Sequence, residues 1–213
     1  AFMPSISVNN DAAHTITRVD FDPSLTTDTL TINGKLTSDR PLKRVVRVLD
    51  HVRTLAGNKS GAHVQSRNVL TTASAAKGLG TSAAAGAALA TAALAAALGP
   101  EAASNLRLVS CTARLLAGSA CRSAVGGLAL WLSYPGISHD NCFAVRLDTA
   151  DHLADMRLVT VPLESRTGLQ TEQAHRAAPT SEFFHTWMNN RRDDVLACLR
   201  AASHGDWETL GRL

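Results

Sequence analysis

In the stretch Ala117-Gly118-Ser119-Ala120-Cys121-Arg122-Ser123-Ala124-Val125-Gly126-Gly127 one arginine stands among small side chains, and the next four residues, Leu128-Ala129-Leu130-Trp131, are wholly apolar. Gly126-Gly127 reads as a turn that runs into a buried strand. Small neighbours would let a carboxylate or phosphate come close enough to Arg122 for a two-point guanidinium contact. Ser119 and Ser123 add short hydroxyl donors on the same turn. The plainer alternative is that Arg122 points to water and the glycines only shape a connection. These residues by themselves leave both open.

Upstream lies a second concentration of glycine, Lys77-Gly78-Leu79-Gly80-Thr81-Ser82-Ala83, at the end of a predicted loop from Asn68 to Thr81. Two glycines allow close backbone approach to a ligand, and the helix that follows offers unpaired N–H groups and a positive dipole end. That combination makes an anion site, to which Thr81 and Ser82 bring hydroxyls and Lys77 a charge. The phosphate motif GxxxxGK[ST] is absent. The alternative here is a simple turn in which Ser82 caps a core helix. The helix itself, Ser82 to Leu98, is almost entirely alanine and leucine without a charge. Its length approaches that of a membrane span. Alanine has little area to bury, however, and Gly86 and Thr91 interrupt the run, so a helix packed inside the protein is the expectation.

The first third alternates in the period-two manner of strands at Ser5–Val8 and His14–Phe21, and Leu30-Thr31-Ile32 leads into Asn33-Gly34, the signature of a tight hairpin. Pro41 opens a helix to about Leu55, with Val45, Val48, Leu49 and Val52 on one face. Ala62–Ser66 reads as a strand, Leu106–Ala117 as a helix, and Met156–Pro162 as a strand ended by proline. Helices are predicted near Thr171–Arg176, Glu182–Asn189 and Asp193–Ala202. Mixed helices and hairpin-linked strands make the class α+β.

A chain of 213 residues with 45% apolar and 18% charged residues suits a globular protein with a real core. The net charge of +3 is too mild, and the aromatic content of 4% too low, to point to nucleic acid. Cys111, Cys121, Cys142 and Cys198 form no CxxC pair and sit beside no histidine at zinc spacing, so no protein-built metal site is expected. Scattered thiols suit a reducing, cytoplasmic setting. No signal peptide is visible at Ala1-Phe2-Met3-Pro4, and both ends read as interior to a longer protein.

In order and spacing, the two glycine clusters resemble the diphosphomevalonate decarboxylases and their phosphomevalonate-decarboxylase relatives in the GHMP kinase superfamily. The family's GSGSACRSxxGG is matched by the stretch from Ala117 to Gly127, with Ala117 as a departure. Its NNFPTAAGLASSA segment is matched by an extended variant from Arg67 to Ala83. Pro4-Ser5-Ile6-Ser7-Val8 looks like its SLSVTL strand, and Ser165-Arg166-Thr167-Gly168-Leu169 like its SSRxGM segment.

The resemblance implies a two-lobed GHMP kinase-like fold, with residues 1–155 as an ATP-binding lobe and 156–213 as the start of a substrate-side lobe. It also implies a homodimer that uses ATP and Mg²⁺. The reaction would phosphorylate the 3-hydroxyl of a 5-phosphorylated mevalonate and then expel phosphate and CO₂ to leave an isopentenyl phosphate. Asn68, Lys77, Gly78, Leu79, Gly80, Thr81, Ser82 and Ala83 would hold the nucleotide. Arg122 would orient the substrate carboxylate and act in catalysis. Ser5, Ser119, Cys121, Ser165 and Arg166 would line the substrate. The family's YWGK lysine and DAGPN aspartate should lie outside residues 1–213, so this stretch alone is expected not to turn over. Asp140, Asp148, Asp151 and Asp155 lie in a loop-like region, and none is assigned as the base. Glu172, together with the lysine-bearing loop, favours the monophosphate over the diphosphate. The competing readings are a sister kinase that phosphorylates mevalonate and stops, and a nucleotide-binding paralogue without catalysis.

Overall fold

A computed structural model describes residues 4–10, 13–70, 80–148, 157, 159 and 171–213. The chain begins with β1 (Ser5–Val8) and β2 (Ala13–Asp22), then the hairpin β3 (Thr29–Ile32) and β4 (Lys35–Thr37). Asn33 and Gly34 turn that hairpin with φ of 50° and 78°, as the Asn-Gly pair requires. Next come α1 (Asp39–Ala56) and β5 (Gly61–Leu70). The sheet order is β2-β5-β3-β4, with β5 antiparallel to β2 and parallel to β3.

The alanine-rich helix is α2 (Thr81–Leu98), followed by α3 (Pro100–Ser104), α4 (Leu106–Ala113) and α5 (Ala120–Ser123). Then β6 (Leu128–Trp131) pairs antiparallel with both β1 and β7 (Ala144–Arg146), which makes a second sheet. Further along the chain come α6 (Thr171–Ala177), α7 (Phe184–Ser203) and α8 (Trp207–Arg212).

The main core lies where α1 and α2 cover the four-stranded sheet. Val45, Val48, Leu49 and Val52 of α1 are buried, all four as the helical spacing predicts. They meet Val19, Leu30 and Val64 of the sheet and Leu89, Ala90, Ala93 and Leu94 of α2. The helix α2 has a mean hydropathy of 1.6 over 18 residues, and it packs against β2, α1, α3, α4 and α5. Gly86 makes this possible. A Cβ there would lie 2.5 Å from Ala120 Cβ and 3.1 Å from the Ala113 carbonyl, so only glycine lets α2 close on α4 and α5.

Several boundaries differ from the sequence expectation. Asn68–Leu70 belongs to β5, because full-length pairing with β2 continues to Ala13↔Leu70. The helix α4 ends at Ala113, where Leu115 and Leu116 tighten to bonds three residues back, 3.1 Å each. The last two predicted helices are one, α7, since residues 184–203 contain neither glycine nor proline. The short elements β7, α3 and α8 carry too few residues to show a period. The predicted strand at Met156–Pro162 and the lobe boundary at 155/156 fall outside the described residues, apart from Arg157 and Val159.

Candidate active site

The inward face of the β2–β5 ladder changes character along its length. At one end it is apolar, with Val19 opposite Val64; further on Thr17 stands opposite Ser66 and Thr15 opposite Asn68. Hydroxyls meet there: Thr17 Oγ1 and Ser66 Oγ are 3.0 Å apart, and Thr15 donates to Asn68 Oδ1 at 3.0 Å. This polar end faces the first turn of α2. Together they border a cavity of about 160 Å³, lined by Thr17, Ser66, Asn68, Thr81 and Ser82 on its polar side and by Leu30, Val45 and Leu89 on its apolar side.

Gly80 starts α2 with φ of 74°, and its carbonyl accepts from the N–H groups of Ala83 (2.8 Å) and Ala84 (3.0 Å). The cap residue is therefore Gly80 rather than Ser82. Thr81 and Ser82 are the first two helical residues, and both line the cavity. By position their N–H groups have no intrahelical acceptor, which leaves donors and a positive dipole end beside it. Ala83 is buried in the helix interface. Lys77, Gly78 and Leu79 lie outside the described residues. Arg44 of α1 also lines the cavity and donates to the Leu116 carbonyl at 2.9 and 2.6 Å, which ties the cavity wall to the approach of the second cluster. Sequence reasoning passed over Thr17, Ser66 and Arg44. The signal was available in the period-two pattern, which puts Thr17 on the face of Val19 and Ser66 on that of Val64.

The second cluster is built around Arg122 on α5. Its Nη1 donates to Ser5 Oγ on β1, and its Cζ lies 5.7 Å from the centre of the Trp131 ring on β6. Ser5 and Trp131 are directly opposed in the β1–β6 register, so one pair of strands brings both to the same side chain. Among the described residues no carboxylate pairs with this guanidinium. Burial pushes its pKa below the ordinary arginine value, with the neighbouring Cys121 working against that shift. Half-buried and without a counter-anion among the described residues, Arg122 is equipped to receive an anionic group. Ser119 lies three residues before it, on the same side of the short helix.

The turn behind Arg122 is fastened from two sides. Asn9 donates from Nδ2 to the carbonyls of Arg122 (3.2 Å) and Gly127 (3.0 Å). Asp148 accepts from the Leu128 N–H at 2.7 Å and from Arg146 at 3.1 and 2.9 Å. Asp148 is thus a buried structural anchor, 5% exposed: it lies in a loop, as its sequence context suggested, but not at the periphery. Cys121 also departs from its expected place against substrate. Its side chain is 0% exposed among Val125, Ala129 and Trp131, and its thiol reaches the Gly118 carbonyl. Burial pushes that thiol up to about 12. It packs the floor under Arg122 and does not line the surface. Ser165 and Arg166 lie outside the described residues.

Residues 2–144 match the family of the diphosphomevalonate decarboxylase-like N-terminal domain. The chain belongs to the diphosphomevalonate decarboxylase-like family. The chain is 31% identical over 92% of its length to a mevalonate 3,5-bisphosphate decarboxylase of Thermoplasma volcanium, covering 51% of that protein. It is 32% identical over 96% of its length to a phosphomevalonate decarboxylase of Haloferax volcanii, covering 60% of it. The solved mevalonate diphosphate decarboxylase of Enterococcus faecalis superposes with TM-score 0.81 at 30% identity, over 99% of this chain and 62% of that one. A solved complex with MVAPP, AMPPCP and magnesium gives TM-score 0.82 at 30% identity and the same coverage. The chain therefore has the GHMP kinase-like fold, and it spans about half to three fifths of the length of these relatives.

Proposed function

We propose that the full protein is an ATP-dependent decarboxylase of a 5-phosphorylated mevalonate, releasing CO₂ and an isopentenyl phosphate for isoprenoid synthesis. The observation that carries this reading is Arg122, half-buried, held by Ser5 and Trp131, and free of any counter-anion among the described residues. A guanidinium so placed accepts a carboxylate and fixes its orientation. Its half-buried setting limits water around a carbon that becomes positive as the leaving group departs.

The cavity at the start of α2 suits a nucleoside. Its apolar walls fit the flat face of a base, its hydroxyls fit the ring's polar edge, and the helix N-terminus favours phosphate. ATP bound there supplies the phosphoryl group that turns the tertiary hydroxyl into a leaving group. In this reading Mg²⁺ is bound together with the nucleotide, held chiefly by its phosphate oxygens. In this reading Asn68, Lys77, Gly78, Leu79, Gly80, Thr81 and Ser82 serve the nucleotide, and Ser5, Ser119, Arg122, Ser165 and Arg166 serve the substrate. The 5-monophosphate is the substrate we favour, supported by the name of the Haloferax relative. A homodimer, a lobe division at 155/156 and a cytoplasmic setting, which the free cysteines suit, complete the reading.

A second reading has its own support. The Thermoplasma relative is named for mevalonate 3,5-bisphosphate, a substrate whose 3-phosphate is already in place. Such a decarboxylation needs no phosphoryl donor. The deciding experiment gives the full-length protein 5-phosphomevalonate with ATP, and in parallel mevalonate 3,5-bisphosphate without ATP, while CO₂ and ADP are measured. Paired CO₂ and ADP from the first mixture support the main reading. ADP without CO₂ indicates a kinase, and CO₂ confined to the second mixture indicates the bisphosphate enzyme.

A further inference from the structure

An arginine that must bind an anion has to be held still by something other than an anion. A carboxylate partner would fix Arg122 but would also neutralise it. On this chain the supports are a hydroxyl, Ser5 Oγ, and an aromatic face, the Trp131 ring 5.7 Å from Cζ. That distance is within the range of a cation–π contact, which tryptophan makes better than tyrosine or phenylalanine.

Trp131 is itself firmly seated. It is 6% exposed, stands opposite Ser5 in the β1–β6 pair, and packs with Cys121, Val125 and Ala129. Gly118 closes over the ring edge, since a Cβ at that position would lie 3.3 Å from Trp131 Cη2. The indole N–H is buried and finds no hydrogen-bond partner among the described residues. Buried tryptophans usually find one. Phenylalanine would fill much of this site without an orphaned donor, so what tryptophan adds here is the larger and more electron-rich face.

We propose that Trp131 is the positioning residue for Arg122: its indole face holds the guanidinium in place without neutralising it and so keeps the full charge for the ligand's carboxylate. The inference deepens the decarboxylase reading and rests on it for the identity of that ligand. It makes the aromatic at 131 part of the machinery through its contact with Arg122.

The test uses the full-length protein with Trp131→Phe and Trp131→Leu, each checked for folding by circular dichroism. Trp131→Leu should lower kcat for CO₂ release about tenfold or more while the KM for ATP stays within about twofold, and Trp131→Phe should recover much of that loss. A Trp131→Leu enzyme that folds and keeps wild-type kcat overturns the proposal. If the leucine variant does not fold, Trp131→Phe decides alone: a drop of about threefold in kcat supports it, and an unchanged kcat overturns it. The decarboxylase reading is separated by a second measurement. In ¹⁵N-arginine spectra the Arg122 Nε–H should show a ring-current shift in the wild type that is reduced in Trp131→Phe. An unshifted Arg122 signal overturns the positioning role whatever reaction the enzyme performs. A shifted signal in a protein that releases no CO₂ retires the decarboxylase reading alone.

Discussion

Ser5 and Trp131 face each other across the antiparallel β1–β6 pair, and both touch the guanidinium of Arg122. The pairing joins residues 126 positions apart in the chain into one support for a single cation. Strand register does this geometrically, because directly opposed residues on antiparallel strands project to the same face. A shift of one residue in β1 would turn Ser5 away from Arg122.

Replacing Arg122 removes the group that would orient the carboxylate. Arg122→Ala should lower turnover about a hundredfold or more in the full-length enzyme, with the KM for ATP changed only a few-fold. Arg122→Lys should recover little, because a point charge cannot reproduce the planar fork. Steady-state kinetics with CO₂ release as the readout checks both, and wild-type turnover in Arg122→Ala would refute the assigned role.

The cavity between β2, β5 and α2 should be the nucleotide end. Ser66→Leu would fill it with apolar volume and remove a hydroxyl paired with Thr17. The KM for ATP should then rise about tenfold or more while the KM for the phosphorylated mevalonate moves little. Isothermal titration with a non-hydrolysable nucleotide measures the same effect directly. A larger effect on mevalonate binding would reverse the assignment of the two ends.

Gly126 and Gly127 look interchangeable in sequence, yet they should behave differently. Both have positive φ, 72° and 56°. A Cβ at Gly126 meets nothing within 4 Å, whereas at Gly127 it would lie 2.2 Å from Asp148 Oδ1. Gly126→Ala should cost about 1 kcal/mol, from backbone strain alone. Gly127→Ala should cost about 2–4 kcal/mol, since it also breaks the Asp148 anchor. Urea unfolding of the two variants gives the comparison, and equal losses would show that the anchor yields freely.

Asp148 makes a prediction about acid. Burial raises its pKa, but the Arg146 side chain and the Leu128 N–H outweigh that and hold it below 3.8 overall. A carboxyl depressed in the folded state contributes stability that is present above its unfolded value. That contribution is lost as pH falls through the lower folded value. Stability should therefore decline below about pH 3.8 in part through this residue. In Asp148→Asn the decline should be shallower and the neutral-pH stability lower by about 1–3 kcal/mol. Denaturant midpoints at pH 7 and pH 3 test the sign, and an unchanged acid slope would remove Asp148 from the account.

Much of this arrangement was legible in the sequence. The buried face of α1 followed from helical spacing, and the Asn-Gly hairpin from the turn it requires. The Arg122 cluster stood out because it concentrates small residues around one charge, but those residues alone left open whether the arginine faces water, and its proposed role came from the family resemblance. The cavity was harder to see, because it depends on Thr17 and Ser66 meeting across a ladder whose register no local pattern specifies. Cys121 was misplaced for a related reason. Position 121 neighbours Arg122 in the chain, but successive helical residues point about 100° apart, and here one faces the site and the other the core. Asp148 looked peripheral because its partners, Leu128 and Arg146, are fixed by the β6–β7 pairing rather than by sequence proximity to the glycine turn.

The contact of Gly86 with Ala120 and the Ala113 carbonyl matters to anyone who would engineer this scaffold. Gly86 is the only glycine inside a helix otherwise rich in alanine, so a stabilisation scheme based on helix propensity would replace it first. That replacement would wedge apart the helix bordering the proposed nucleotide cavity and the helix carrying Arg122. Stabilising changes belong on the exposed face of α2, at Thr91 and Ala95, where side chains can vary without altering the spacing of the cavity and the Arg122 cluster.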